Sequence, residues 1–445
     1  MSNHIYLDYH ATTPVDRRVA DKVYDYMMSN FGNSSSIDHI FGDLAQEAIK
    51  KAQQQIADLI NSSPQEIIFT SGATESINLV IQGLIELNVN HRKYKFNSQN
   101  IQSYPSEYSE VRENLSFTSH NIFLTSSQNQ NPLIDIIPSE SQNQENQISI
   151  PRIIILPVEH KAVIDTCQAM EKKGLAEIIW LKVDQKARID LNHLEKLCSE
   201  SASLLCVMAA NNEVGNIYPI EEIGKIAQKY HIPFLCDGSQ AVGKIPVNFE
   251  DWGITFLSIS GHKLYAPKGI GALVIKKGYH LQPLIYGGGH QNGIRSGTLN
   301  VSGIVGLGEA CYLRQLEMKE DEREIALKRN HLQSLLQSKI PQLVINGDTE
   351  NRLAGNLHIS IPNVLNSAVI ARIRHKLAIS TGSACSSATV SPSHVLTAMN
   401  LSDDLIEGAL RIGVGKFTTD MEIEKSAEII TNTVEKIFQL TNISD

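Results

Sequence analysis

Short apolar runs, each ending in a cluster of polar residues, recur through the first two thirds of this chain with helix-patterned stretches between them. Ile67–Thr70, Arg152–Leu156, Leu204–Ala209, Ile232–Cys236, Phe256–Ile259 and Ile270–Ile275 have strand length and almost no polar alternation. Strands of that kind are buried on both faces, which requires helices above and below a mostly parallel sheet. Asp43–Ile60, the segment opened by Ser71-Gly72-Ala73-Thr74-Glu75-Ser76, and Ile220–Tyr230 carry apolar residues at helical spacing. The pattern predicts an α/β domain. Beyond about Asn300 the texture changes to a long helix, Ile304 to about Ser338, followed by mixed strands and helices. That change predicts a second, smaller α+β domain.

One segment breaks the pattern. Across residues 88–150, Asn, Gln and Ser supply more than two fifths of the positions. Such a composition buries too little apolar area to offset ordering entropy, so the segment reads as a surface insertion. No run of about 18 apolar residues occurs, which argues against a membrane span. The opening MSNHIYLDYHATTPVD has neither a basic n-region nor an apolar h-region, so a cytoplasmic protein is expected. With 39 Lys and Arg against 48 Asp and Glu, the net charge of −9 has the wrong sign for a nucleic-acid partner. The six cysteines have irregular spacings and form no CxxC pair, as expected of reduced thiols. Cys167, Cys198, Cys206, Cys236 and Cys311 are expected to be inert. Cys385, in Thr381-Gly382-Ser383-Ala384-Cys385-Ser386-Ser387, has the small polar surroundings of a reactive thiol.

In open α/β sheets, ligands sit beyond the carboxyl ends of the strands. The SGATES turn opens a helix there, and its free N–H groups with the Thr74 hydroxyl suit a phosphate. Other strand ends carry His160, Asn211-Asn212, Asp237 with Gln240, and Ser260-Gly261-His262-Lys263. Pyridoxal phosphate needs an amine, an acid at its ring nitrogen and a phosphate site. Lys263 can supply the amine and Asp237 the acid. Gln240 can bond the ring hydroxyl, and Ser260, His262 and the Thr74 turn can hold the phosphate. His160 can stack on the ring and move protons near neutral pH.

From Tyr6-Leu7-Asp8-Tyr9 to Phe417-Thr418-Thr419 the chain resembles the cysteine desulfurases of the NifS/IscS type. The motifs that carry the resemblance include ATTPVD, FGNSSS, FTSGATES, EHKAV, NNEVG, DGSQAVGK, SGHKLYAPKGIGAL, GGGHQNGIRSGTLN, TGSACSS and ALRIGVGKFTT. The resemblance implies a pyridoxal-phosphate-dependent transferase fold of the class V aminotransferase type. Its mostly parallel central sheet is flanked by helices, with a smaller α+β domain beside it. Residues 16–299 would form the large cofactor domain, and 1–15 with 300–445 the small one. It implies that Lys263 is the Schiff-base lysine, Cys385 the persulfide-forming cysteine and His160 the ring-stacking, proton-transferring histidine. Ala73, Thr74, Asn212, Asp237, Gln240, Ser260, Gly261 and His262 match cofactor contacts. Thr298 matches a threonine that reaches the neighbouring subunit's phosphate, which implies a homodimer. Arg411 and Asn33 match substrate-binding positions, and a guanidinium fork suits a carboxylate.

The implied reaction takes sulfur from L-cysteine, leaving L-alanine and a Cys385 persulfide. The implied acceptors are an iron–sulfur scaffold protein and other sulfur acceptors. No intrinsic metal is expected, with Cys385 at most a transient iron–sulfur ligand shared with a scaffold. Two features depart from the family pattern: the 88–150 insertion, and Lys416 in GVGKFTT, where the family more often has arginine. A selenocysteine lyase stays open as a sister activity. An aminotransferase would have no use for Cys385, and a non-catalytic sulfur-carrier scaffold would be expected to lack Lys263, His160 or Cys385.

Overall fold

The structure is a computed structural model that describes residues 4–100, 150–381 and 392–441. Strand β1 (Ile5–Tyr6) opens the described chain. Strands β2 (Ile67–Thr70), β3 (Arg152–Ile155), β4 (Glu177–Trp180), β5 (Leu204–Met208), β6 (Phe234–Asp237), β7 (Phe256–Ser260) and β8 (Gly271–Ile275) form one seven-stranded sheet. Their order is β2-β8-β7-β6-β5-β3-β4. From β4 to β7 every pairing is parallel, while β8 runs antiparallel to both β7 and β2. The reversal follows from chain length, because residues 261–270 are too few for a parallel crossover.

Successive strand residues point to opposite faces. Ile153 and Ile155 join Leu204, Cys206, Leu235 and Leu273 under the helix Ala73–Asn100 and the helix Lys161–Lys172. Ile154, Leu205, Val207, Leu257 and Ile259 face the other way, against Ala52 and Ile56 of the helix Ile40–Ile60. The near-continuous apolar strands predicted from sequence are therefore the middle layer of three. Helix Ile40–Ile60 starts three residues before its predicted Asp43, capped by His39. Helix Ala73–Asn100 continues past Asn88, into the segment read as an insertion. Propagating an existing helix costs far less than nucleating one, so polar composition does not stop it. The rest of the predicted insertion, residues 101–149, lies outside the described residues.

The predicted long helix spans Val301–Lys339, capped by the Asn300 side chain. Ile304, Leu307 and Cys311 at its start pack in the large core, while Leu332 and Leu336 pack in a second core with Leu357, Ile359, Leu410 and Ile412. It is a strut shared by two cores. The second core also contains Ile5 and Leu7 from the amino end. Strands β9 (Val344–Ile345), β10 (Asn356–Ser360) and β12 (Ala409–Gly413) form its antiparallel sheet, and β1 pairs with β11 (Leu377–Ala378). Cys167, Cys198, Cys206, Cys236 and Cys311 are all free and buried. Among the described residues no helix is long and apolar enough to cross a membrane.

Candidate active site

Lys263 leaves the end of β7 on a single 3-10 turn, Gly261–Lys263. Gly261 is required there, since a Cβ would stand 2.9 Å from the Ile270 carbonyl oxygen. The Lys263 Nζ donates to the carbonyls of His10 and Ala11, the latter at 2.8 Å. The amino-terminal segment is laced to the same turn. Thr13 donates to the His262 carbonyl from both its amide (2.9 Å) and its hydroxyl (3.0 Å), and Thr12 Oγ1 lies 3.1 Å from His262 Nδ1. Burial and then the Lys263 charge push the His262 pKa down to about 4, so its imidazole is neutral near pH 7.

Asp237 ends β6 and is buried. Its Oδ1 accepts from the Ser239 amide (3.0 Å), Ser239 Oγ (2.6 Å) and Ser258 Oγ (2.9 Å). Three donors on one oxygen fix the carboxylate and leave its other oxygen to receive a proton-bearing ring nitrogen. Gln240 follows within the same turn. Its Oε1 accepts from Lys244 Nζ at 2.7 Å and lies 3.3 Å from His10 Nδ1, while its Nε2 donates to the His10 carbonyl at 3.0 Å. Burial pushes the His10 pKa far below the usual range, so the neutral ring carries its proton on Nδ1, facing Gln240.

The turn after β2 approaches β7 and β8 closely. A Cβ on Gly271 would meet the Gly72 Cα at 2.6 Å, and one on Gly72 would stand 4.0 Å from Ser260 Oγ. Ala73 and Thr74 then open a helix whose first amides have no helical acceptor. Glu75 braces this turn, accepting from the Ser71 amide at 2.9 Å and from Arg295 Nε at 2.7 Å. Ser260, the Thr74 turn and His262 thus form a donor set of the kind a phosphate ester needs, beside an amine and a fixed carboxylate. These residues fit pyridoxal phosphate.

His160 caps the helix Lys161–Lys172, its Nδ1 accepting from the Ala162 amide at 3.1 Å. In the neutral ring that leaves the proton on Nε2. The neighbouring Glu159 is wholly buried, and burial raises its pKa well above the usual carboxylate range. Asn211 is structural, capping the Glu213 and Val214 amides with its Oδ1. The Asn212 carbonyl accepts from Arg411 Nη1 at 3.1 Å. Arg411 itself is buried on β12, in the smaller sheet. The site therefore forms where the two cores meet.

Two predicted residues lie on exposed loops. Asn33 is exposed and turns its Oδ1 back to the Ser35 amide at 2.9 Å. Thr298 is also exposed, on a loop pinned to β2 by Gln291 and to the Ser71–Ser76 turn by Arg295. Cys385 lies outside the described residues, between Thr381 and Pro392. On either side of that segment, Ser380 pairs its backbone with Arg411, and Ser393 Oγ donates to Glu213 Oε1 at 2.5 Å. Sequence reasoning missed Asp8, His10, Lys244 and Glu213. The motifs that hold them were visible, but nothing local marks a surface-type residue as buried, like His10 and Glu213, or half-buried, like Asp8 and Lys244. Among the described residues no group of three His, Cys, Asp or Glu is arranged to hold a metal.

The family model for Aminotransferase class-V matches residues 5–99 and 85–425. Cysteine desulfurase IscS of Colwellia psychrerythraea is 38% identical over 434 residues, covering 97% of this chain and 92% of that one. Among solved structures, a NifS-like protein superposes with a TM-score of 0.78 at 30% identity, covering 97% of this chain and 99% of its own. SspA in complex with cysteine superposes with a TM-score of 0.70 at 28% identity, covering 93% of this chain and 100% of its own. Lys263, Asp237 and the SGATES turn lie together on the fold these proteins share. The chain belongs to the pyridoxal-phosphate-dependent aminotransferase class-V family and, within it, to the cysteine desulfurases.

Proposed function

We propose that this cysteine desulfurase removes sulfur from L-cysteine through Lys263, His160, Arg411 and Cys385, leaving L-alanine and a persulfide on Cys385. The observation that carries the reading is the gathering of Lys263, the thrice-bonded Asp237 carboxylate and the Ser260–Thr74 donor set at adjacent strand ends. Bound pyridoxal phosphate supplies an electron sink for charge developing at the α-carbon of the substrate. Lys263 Nζ anchors it and then takes the α-proton. Asp237 keeps a proton on the ring nitrogen, and His160 exchanges protons at Nε2. Arg411 grips the substrate carboxylate. The Cys385 thiolate attacks the substrate sulfur, so an S–S bond forms as the C–S bond breaks. The electron pair of that bond stays with carbon, which takes a proton and becomes the methyl group of alanine, and Lys263 returns a proton to the α-carbon.

A homodimer belongs to this reading. Tyr24, Met27, Met28, Phe31, Ile37 and Ile40 form an exposed apolar stretch of a kind that monomers rarely leave open. Thr298, exposed on its braced loop, is then available to the partner's phosphate, and Asn33 beside Phe31 to the substrate. Cytoplasmic iron–sulfur scaffold and sulfur-acceptor proteins would receive the persulfide sulfur. The test of the anchor is Lys263→Ala. Purified with excess cofactor, it should lack the visible absorbance of covalently held pyridoxal phosphate, and retention of that band would refute the assignment.

A further inference from the structure

Arg411 is held from both cores at once. Its Nη1 donates to the Asn212 carbonyl of the large core at 3.1 Å, and its Nη2 to Asp8 Oδ1 of the amino-terminal segment at 3.1 Å. A guanidinium has five N–H donors, and these bonds engage two of them. The buried Nε–H has no acceptor among the described residues. The same Asp8 Oδ1 also accepts from Ser380 Oγ at 3.0 Å. Ser380 in turn brackets Arg411 through its backbone, donating to the Arg411 carbonyl at 3.1 Å and accepting from its amide at 2.7 Å. Asp8 cannot drift, because its neighbours Leu7 and Tyr9 are both bonded to Gly413 of β12.

We infer that Asp8 is a positioning residue for the substrate carboxylate: it sets the plane of the Arg411 guanidinium and, through Ser380, ties that plane to the strand leading towards Cys385. The inference rests on the reading of Arg411 as the carboxylate-binding arginine. A fork recognises a carboxylate only in one plane, so an arginine free to rotate binds as a point charge and loses the bidentate geometry. Asp8 also compensates a guanidinium that is otherwise buried without a carboxylate partner. Its role is exerted through Arg411, with no contact to the reacting atoms.

The test uses cofactor-loaded enzyme carrying Asp8→Asn, Asp8→Ala or Ser380→Ala, with two readouts. One is the KM and kcat for L-cysteine, and the other is calorimetric binding of the product, L-alanine. Losing a hydrogen bond to a charged group should weaken L-alanine binding and raise KM about tenfold in Asp8→Ala. Asp8→Asn keeps the acceptor and should fall between that variant and the wild type. Saturated turnover should change far less than KM in both. Ser380→Ala should add nothing in the Asp8→Ala background, because its effect passes through the same oxygen. Unchanged alanine affinity in both Asp8 variants, or a loss confined to kcat, would overturn the inference. An unchanged alanine affinity in Arg411→Gln would overturn the reading of Arg411 itself, and this inference with it.

Discussion

Lys244 Nζ donates to Gln240 Oε1 at 2.7 Å, and this bond turns the Gln240 amide so that its NH2 group faces the His10 carbonyl. A second amine is thereby placed near Lys263. Burial first, and the Lys263 charge second, lower its pKa to about 7. With Gln240 proposed as the partner of the cofactor's ring hydroxyl, Lys244→Met would free its amide to flip and lose that orientation. The cofactor should then dissociate several-fold faster, roughly the worth of one hydrogen bond, when its absorbance is followed after transfer to cofactor-free buffer.

Glu213 is a buried acid whose pKa burial raises to about 7, partly offset by the Ser393 hydroxyl. A folded value above the unfolded one near 4.5 means that the native state binds the extra proton. Stability therefore falls as pH rises from about 4.5 through 7 and levels off above that. Glu213→Gln mimics the neutral acid and keeps the acceptor for Ser393. It should melt higher than the parent at pH 8, by no more than about 3 kcal/mol, and the gain should shrink towards pH 5.

Lys416 joins the amino-terminal segment to the small core. Its Nζ lies 2.7 Å from Asp16 Oδ2 and 3.3 Å from Glu317 Oε2, with the Tyr265 and Phe417 rings beside it. Arg18 first, and Lys416 next among its partners, hold the Asp16 carboxyl well below the usual range. The stability this pairing contributes is present at neutral pH and is lost as pH falls below the ordinary carboxylate value. Lys416→Met should cost about 2 kcal/mol, less than a fully isolated buried pair because Arg18 remains. Lys416→Arg should cost little. Thermal melts of both variants check the pair.

The strands, the helices between them and the polar residues at their ends were legible because burial on both faces leaves a local mark. Runs such as Arg152–Leu156 and Leu204–Ala209 could be little else, and Lys263, Asp237 and His160 could be read from their positions after such runs. The helix start at Ile40 depended on a cap, and the continuation of the helix from Ala73 past Asn88 on propagation, both of which composition hides. Asp8 and His10 were invisible for a different reason. They reach Arg411 and Lys263, roughly 400 and 250 residues away in sequence, only because the amino-terminal segment joins the small core and folds back over the Lys263 turn. Lys244 and Glu213 look like surface residues until long-range packing half-buries the first and buries the second.

Cys385 carries the central claim, and the most direct measurement follows both products at once. Cofactor-loaded enzyme given L-cysteine and a thiol reductant should release sulfide and L-alanine in equal amounts. Cys385→Ala should keep the cofactor absorbance yet release no sulfide above background. Sulfide release from Cys385→Ala at the parental rate would contradict the account.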